Sequence, residues 1–146
     1  MITASQVCTF YLDNQMYGVD VQSVQEVIRY QEMTEVPLAP DAVMGLINLR
    51  GQIVTAIDLR KRLELPSRPD SELPMNVVVK SEDGAISLLV DQIGDVQEID
   101  MDNFEPPPET LQGVSRGMIQ GTYKLKDRLI LILNTERAMN VTTSIE

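Results

Sequence analysis

The chain contains no histidine. That absence removes the commonest general base, the commonest metal ligand and the usual partner of a serine or cysteine nucleophile. Cysteine is almost missing too: Cys8 stands alone, so no intrachain disulfide can form, and the residue reads as a small buried hydrophobe in a reducing compartment. No stretch approaches the ~18 consecutive apolar residues of a membrane span. Met1 to Gln6 carries no basic segment ahead of an apolar one, so a soluble, cytoplasmic protein without direct membrane insertion is expected. Positive charge is also scarce. The 12 basic and 22 acidic side chains leave a net charge of −10, which repels polyphosphate and weakens the counterion release behind nucleic-acid binding.

The motifs of cofactor and metal chemistry are absent as well. There is no D-x-D-x-D-G loop, H-E-x-x-H pair, phosphate-cradling glycine loop or C-x-x-C pair, and no cofactor or metal is expected. Gly113-Val114-Ser115-Arg116-Gly117 matches G-x-S-x-G, but that elbow needs a strand-turn-helix setting and a histidine. Following a proline run, it reads as a flexible connector, with a serine-lysine hydrolase using Ser115 as the remaining enzymatic alternative. Asp20, Glu26 and Asp95 form a conceivable acid/base set; at strand ends they read as solvated acids. The expectation is a protein that is not an enzyme.

Short runs of valine, isoleucine and leucine separated by turn residues indicate a strand-rich domain. Val7 to Leu12 and Met16 to Val21 flank Asp13-Asn14, and Asn76 to Ser81 and Ala85 to Val90 flank Glu82-Asp83-Gly84. Both read as hairpins. They superpose: a shift of 69 places Phe10 on Val79, Val24 on Ile93 and Val27 on Val96, and a shift of 76 places Gly45 on Gly121, Arg50-Gly51 on Lys126-Asp127 and Ile57 on Leu133. The extra residues include Glu105 to Glu109, a proline run that reads as an extended loop. Asp58 and Asn134 close the second block of each repeat as N-caps of the short helix-prone stretches Leu59 to Leu63 and Thr135 to Met139.

A half of this length buries too little surface to stand comfortably alone. The repeat therefore predicts an all-β fold of two five-stranded barrels related by a pseudo-twofold, with short helices and a shared apolar seam. The first barrel is expected over 7–63, a proline-rich connector over 64–74, and the second barrel over 75–139, with exchange of first and last strands between them left open.

Three features remain as candidates for binding. In Asn48-Leu49-Arg50-Gly51, Gly51 supplies the positive φ of a tight turn and Arg50 is held at its tip. Arg50 is either available to fork onto a partner's carboxylate, or solvated, or paired with Glu26 or Asp58. Val21, Val24 and Val27 recur every three residues, with Ile93 as their mate from the other repeat; they line a partner surface or are simply buried between the barrels. Gly45 is a bend before a strand or part of an interface.

Tyr17-Gly18-Val19-Asp20-Val21, Val24-Gln25-Glu26-Val27, Pro37, Pro40, Gly45, Asn48-Leu49-Arg50-Gly51 and Ile57-Asp58-Leu59-Arg60 together resemble the CheW family of chemotaxis coupling proteins. Leu89-Val90-Asp91-Gln92-Ile93 and Leu129 to Leu133 extend the resemblance over essentially the whole chain. It implies two SH3-like barrels and a non-catalytic adaptor coupling chemoreceptors to the histidine kinase CheA, whose regulatory domain has a similar fold, with recruitment to membrane-associated receptor arrays. It further implies a receptor-binding groove at Val21, Val24, Val27 and Ile93, with Cys8 alongside, and roles in assembly for Gly45 and Arg50, with Glu26 as the matching acidic position. Thr55 stands where the family commonly has proline, and Arg29-Tyr30 replaces a frequent glycine. The alternatives are an adaptor of a non-flagellar pathway such as type IV pilus motility, or a coupling domain detached from a response-regulator fusion or from the kinase. The closeness of Met1 to the first strand leads us to expect a stand-alone protein.

Overall fold

A computed structural model of the chain describes residues 6–82, 84–100, 103–107 and 117–140. β1 (Gln6–Leu12) and β2 (Gln15–Asp20) form the first hairpin around Asp13 and Asn14. Both turn residues have positive φ, 50° and 68°, the type I′ geometry whose twist suits paired strands and which Asp and Asn tolerate. A single 3-10 turn (Val21–Ser23) follows, capped by the Asp20 side chain, which accepts from the Gln22 N–H at 2.9 Å. This cap removes Val21 from the strand in which its apolar character had placed it.

β3 (Val24–Ile28), β4 (Val43–Leu49), β5 (Gln52–Asp58) and α1 (Leu59–Arg62) complete the first repeat. The second contains β6 (Met75–Ser81), β7 (Gly84–Val90), β8 (Gln92–Glu98), β9 (Phe104–Glu105), β10 (Ile119–Lys124), β11 (Leu129–Leu133) and α2 (Thr135–Met139). The two expected N-caps are in place: Asp58 accepts from the Arg60 N–H at 3.0 Å and Asn134 from the Arg137 N–H at 3.1 Å. Glu105 pairs with Thr122 as the last residue of β9. The proline loop therefore begins at Pro106, which has no amide to give to a ladder, and not at Glu105. Pro108, Glu109 and Gly113 to Arg116, with Ser115, lie outside the described residues.

Two sheets form, ordered β8-β1-β2-β11-β10-β9 and β3-β6-β7-β5-β4. Exchanging each strand for its repeat mate converts the first five strands of one order into the other. The registers correspond residue by residue: Phe10 opposes Ile93 as Val79 opposes Val24, Cys8 opposes Val96 as Val77 opposes Val27, and Tyr17 opposes Leu131 as Ile86 opposes Thr55. Even the short β9 has a counterpart, the bridge between Thr34 and Leu46. The molecule consists of two SH3-like five-stranded barrels: barrel I from β1, β2, β8, β10 and β11 with β9 at its edge, and barrel II from β3 to β7.

This membership corrects the expected boundaries. The barrels are not 7–63 and 75–139, because whole hairpins are exchanged: β1-β2 belongs with the strands of the second repeat and β6-β7 with those of the first. The connector 64–74 consequently joins β5 to β6 inside barrel II. The chain passes between barrels at Val21–Ser23 and at Asp91 instead. Exchange is physically favourable here because each hairpin shows one apolar face to its own barrel and the other to the seam.

Alternation along the strands makes this explicit. Cys8, Phe10 and Leu12 of β1 and Val77 and Val79 of β6 point into a core shared by both barrels, while Val7 and Val78 point into the separate cores of barrels I and II. The period of two in a strand produces both faces at once. Phe10, Val79 and Leu88 are fully buried at the seam, and each such side chain contributes about 1.5–3 kcal/mol over its exposed state. Each barrel is thus completed by the other.

Candidate partner-binding surfaces

Eight of the eleven sequence candidates separate onto two faces, and Cys8, Gly45 and Leu49 are buried behind them. The first face is the seam side of β3 and β8, which are edge strands of their respective sheets. A bulge between Val24 and Glu26 adds one residue to β3, which changes the side-chain alternation so that Val24 and Val27, three apart, both lie opposite seam-core residues. The equivalent irregularity between Cys8 and Phe10 leaves Ile93 and Val96 opposite those two residues. Val24 and Ile93 pack partly buried against the shared core, whereas Val27 and Val96 are 41% and 51% exposed. Val21 is half-buried in the 3-10 turn. The result is an apolar strip from both barrels, buried at its floor and open at its outer positions.

Val96 was not among the candidates. The repeat that places Val27 on Val96 was the available signal, and it pointed there directly. Cys8 is 6% exposed and lies within the core, beneath the strip, where burial raises the thiol pKa above its ordinary value.

The second face lies on the other side of β3. Glu26 opposes Val78, a barrel II core residue, so its side chain departs from the face opposite to that of Val24 and Val27. It accepts a hydrogen bond from Arg50 at the β4-β5 tip. Arg50 and Gly51 form that tip with φ of 52° and 88°, and Asn48 accepts from the Gly51 N–H at 2.9 Å. Because β3 and β4 are the two ends of the barrel II sheet order, the ion pair links the edges across which the sheet closes. Of the two acids weighed for Arg50, Glu26 is the partner; Asp58 caps α1 and lies 3.7 Å from Arg68. The Arg50 side chain remains 70% exposed and that of Glu26 21%. The pair leaves most of the guanidinium available.

Leu49 is buried in the barrel II core. Gly45 is also buried, at a bulge with φ of 157°, and a Cβ there would lie 2.7 Å from the Thr34 carbonyl oxygen. Both hold the hairpin from behind, leaving Asn48, Arg50 and Gly51 as its exposed residues. Ile53, 60% exposed, stands beside them and was not anticipated.

The proposed acid/base set is not assembled. Asp20 caps the 3-10 turn, Glu26 is paired with Arg50, and Asp95 is exposed on β8 of the other barrel. Among the described residues no group of three or more acids or cysteines is placed to hold a metal ion. No helix among them is long and apolar enough to cross a membrane.

A family model described as a CheW-like domain matches residues 6–142. The chain is 28% identical over 136 residues to the chemotaxis protein CheW of Treponema pallidum, covering 90% of this chain and 80% of that protein. It is 28% identical over 142 residues to the CheW of Bacillus subtilis, covering 97% and 91%. Among solved structures, the scaffolding protein TtCheW from Thermoanaerobacter tengcongensis superposes with a TM-score of 0.80 at 31% identity, covering 90% of each chain. The family model extends from β1 past α2, and the solved scaffold shares the fold over 90% of the chain. The chain belongs to the CheW-like family, whose members are scaffolds of chemotaxis signalling and not catalysts.

Proposed function

We propose that this scaffold couples chemoreceptors to the histidine kinase CheA by holding one partner on each face of β3. The seam strip of Val21, Val24, Val27 and Ile93, extended by Val96, takes the helical tip of a receptor. The β4-β5 tip with Arg50, backed by Glu26, docks the kinase regulatory domain. The observation that carries this reading is the division of the candidates onto opposite sides of one strand, because an adaptor needs two surfaces that can be occupied together. The protein would act in the cytoplasm and be recruited to receptor arrays through these contacts, with no insertion into the membrane.

The test is titration of Val24→Asp and Arg50→Ala proteins against a receptor-tip peptide and the isolated kinase regulatory domain. Val24→Asp places a charge where an apolar anchor is desolvated and should abolish receptor binding alone. Arg50→Ala should weaken kinase binding by about 2–5 kcal/mol if the guanidinium is buried in the complex, against about 0.2–1 kcal/mol on a wet rim. Wild-type affinity for both partners in both variants would remove the assignment.

A further inference from the structure

The two passages between barrels occupy the same place in the repeat, since a shift of 69 brings Gln22 onto Asp91, yet they are built differently. Gln22 is exposed in its 3-10 turn. Asp91 is only 12% exposed and stands between two arginines of barrel II. Arg60 of α1 donates to it through Nε at 3.0 Å and Nη2 at 2.5 Å, and Arg68 of the connector donates through Nε at 3.0 Å. The same carboxylate accepts from the Asp13 N–H, at the hairpin turn of barrel I, at 2.9 Å. One side chain therefore ties elements of both barrels together, one residue before β8 begins.

We infer that Asp91 is a positioning residue that sets the angle between the barrels and thereby the shape of the strip formed by β3 and β8. The seam itself cannot do this alone, because apolar contact is non-directional and tolerates rotation of one barrel over the other. A forked arginine pair on a buried carboxylate is directional. The network holds the passage into β8, while Arg62 of α1 ties the barrels elsewhere by donating to the carbonyls of Arg137, Ala138 and Asn140 at α2; loosening Asp91 therefore lets β8 shift against β3 while each barrel keeps its own core. The inference deepens the receptor-strip reading above and rests on it for its functional consequence.

The test uses the full chain with Cys8→Ala and spin labels at Gln25→Cys and Asp95→Cys, both exposed positions on the two edge strands. Pulsed electron resonance then reads the distance distribution between barrels. Asp91→Asn removes the charge facing both arginines; Arg68→Met removes one arginine, keeps the Arg60 fork and serves if the first variant does not fold. The expected result is a broadened or shifted distribution in the folded variants, with affinity for a receptor-tip peptide, measured on the unlabelled variants, falling about 5-fold or more, the ordinary scale of coupling between sites. An unchanged distribution in both variants would overturn the positioning role, even if they melt earlier. A changed distribution with unchanged peptide affinity would support the positioning role and overturn the receptor-strip reading instead.

Discussion

Replacing Gly45 by alanine separates a structural from a contact role for a residue that the family resemblance assigns to complex assembly. The new Cβ would lie 2.7 Å from the Thr34 carbonyl oxygen, 3.0 Å from Met33 Cβ and 3.2 Å from the Thr34 carbonyl carbon, at a φ of 157°. The nearest obstacle is backbone, which cannot rotate aside as a side-chain end can. Thr34 is held there by two hydrogen bonds of 2.8 Å with Leu46, so relief of the clash means loss of this bridge. Strained backbone costs about 1–3 kcal/mol, and two hydrogen bonds about 0.5–1.5 kcal/mol each. The sum, about 2–6 kcal/mol, corresponds to a fall in melting temperature of about 5–20 °C for a chain of this size. Gly121 is the repeat mate, with a Cβ falling 2.7 Å from the Glu105 carbonyl oxygen, and its alanine variant should shift in the same direction. Thermal and urea unfolding followed by circular dichroism give the answer. A Gly45→Ala protein that melts within about 2 °C of wild type yet no longer binds its partners would refute the reasoning and make Gly45 a contact.

Phe10→Ala empties the middle of the seam, where the ring is fully buried and stacks on Tyr17 with centroids 6.1 Å apart. A loss of about 3–5 kcal/mol in urea unfolding is expected, and a loss below about 1 kcal/mol would deny the seam its share in stability. Burial raises the Asp91 pKa, but hydrogen bonds from Arg60, the Asp13 N–H and Arg68, with the Arg68 charge, outweigh it and hold the carboxyl below its ordinary range. Its contribution is therefore complete above the unfolded pKa, about 3.9, and drains as pH falls through the lower folded value; Asp91→Asn should flatten that acid limb, and parallel limbs would contradict the sign. Cys8, buried with a raised pKa, should resist a thiol reagent in the native state and react once unfolded. Rapid labelling of folded protein would show that the seam opens far more readily than its packing implies.

Much of the fold was legible because the apolar pattern carries the strand period and the turn residues carry the breaks. The hairpin at Asp13-Asn14, the caps Asp58 and Asn134, and the turn at Arg50-Gly51 are local events, set by side chains acting on their own backbone. The candidate site was legible in a different way. Val24, Val27 and Ile93 stood out through the repeat, yet the same repeat should have added Val96. Whether Arg50 pairs with Glu26 or Asp58 was open: Asp58 sits at the far end of β5 from the tip, and closure of barrel II is what brings Glu26, 24 residues away, to Arg50.

Duplication, strand content and the residue-by-residue equivalence of the halves were determined by the sequence alone, because each depends on spacing along the chain. Which hairpin joins which barrel was decided only in three dimensions. A hairpin with two apolar faces satisfies its alternation equally well in either barrel, so the pattern is blind to exchange and the burial of the seam selects it. The Asp91 network follows the same rule: Arg60, Arg68 and Asp91 are unremarkable charges until the exchanged hairpin brings them under one roof.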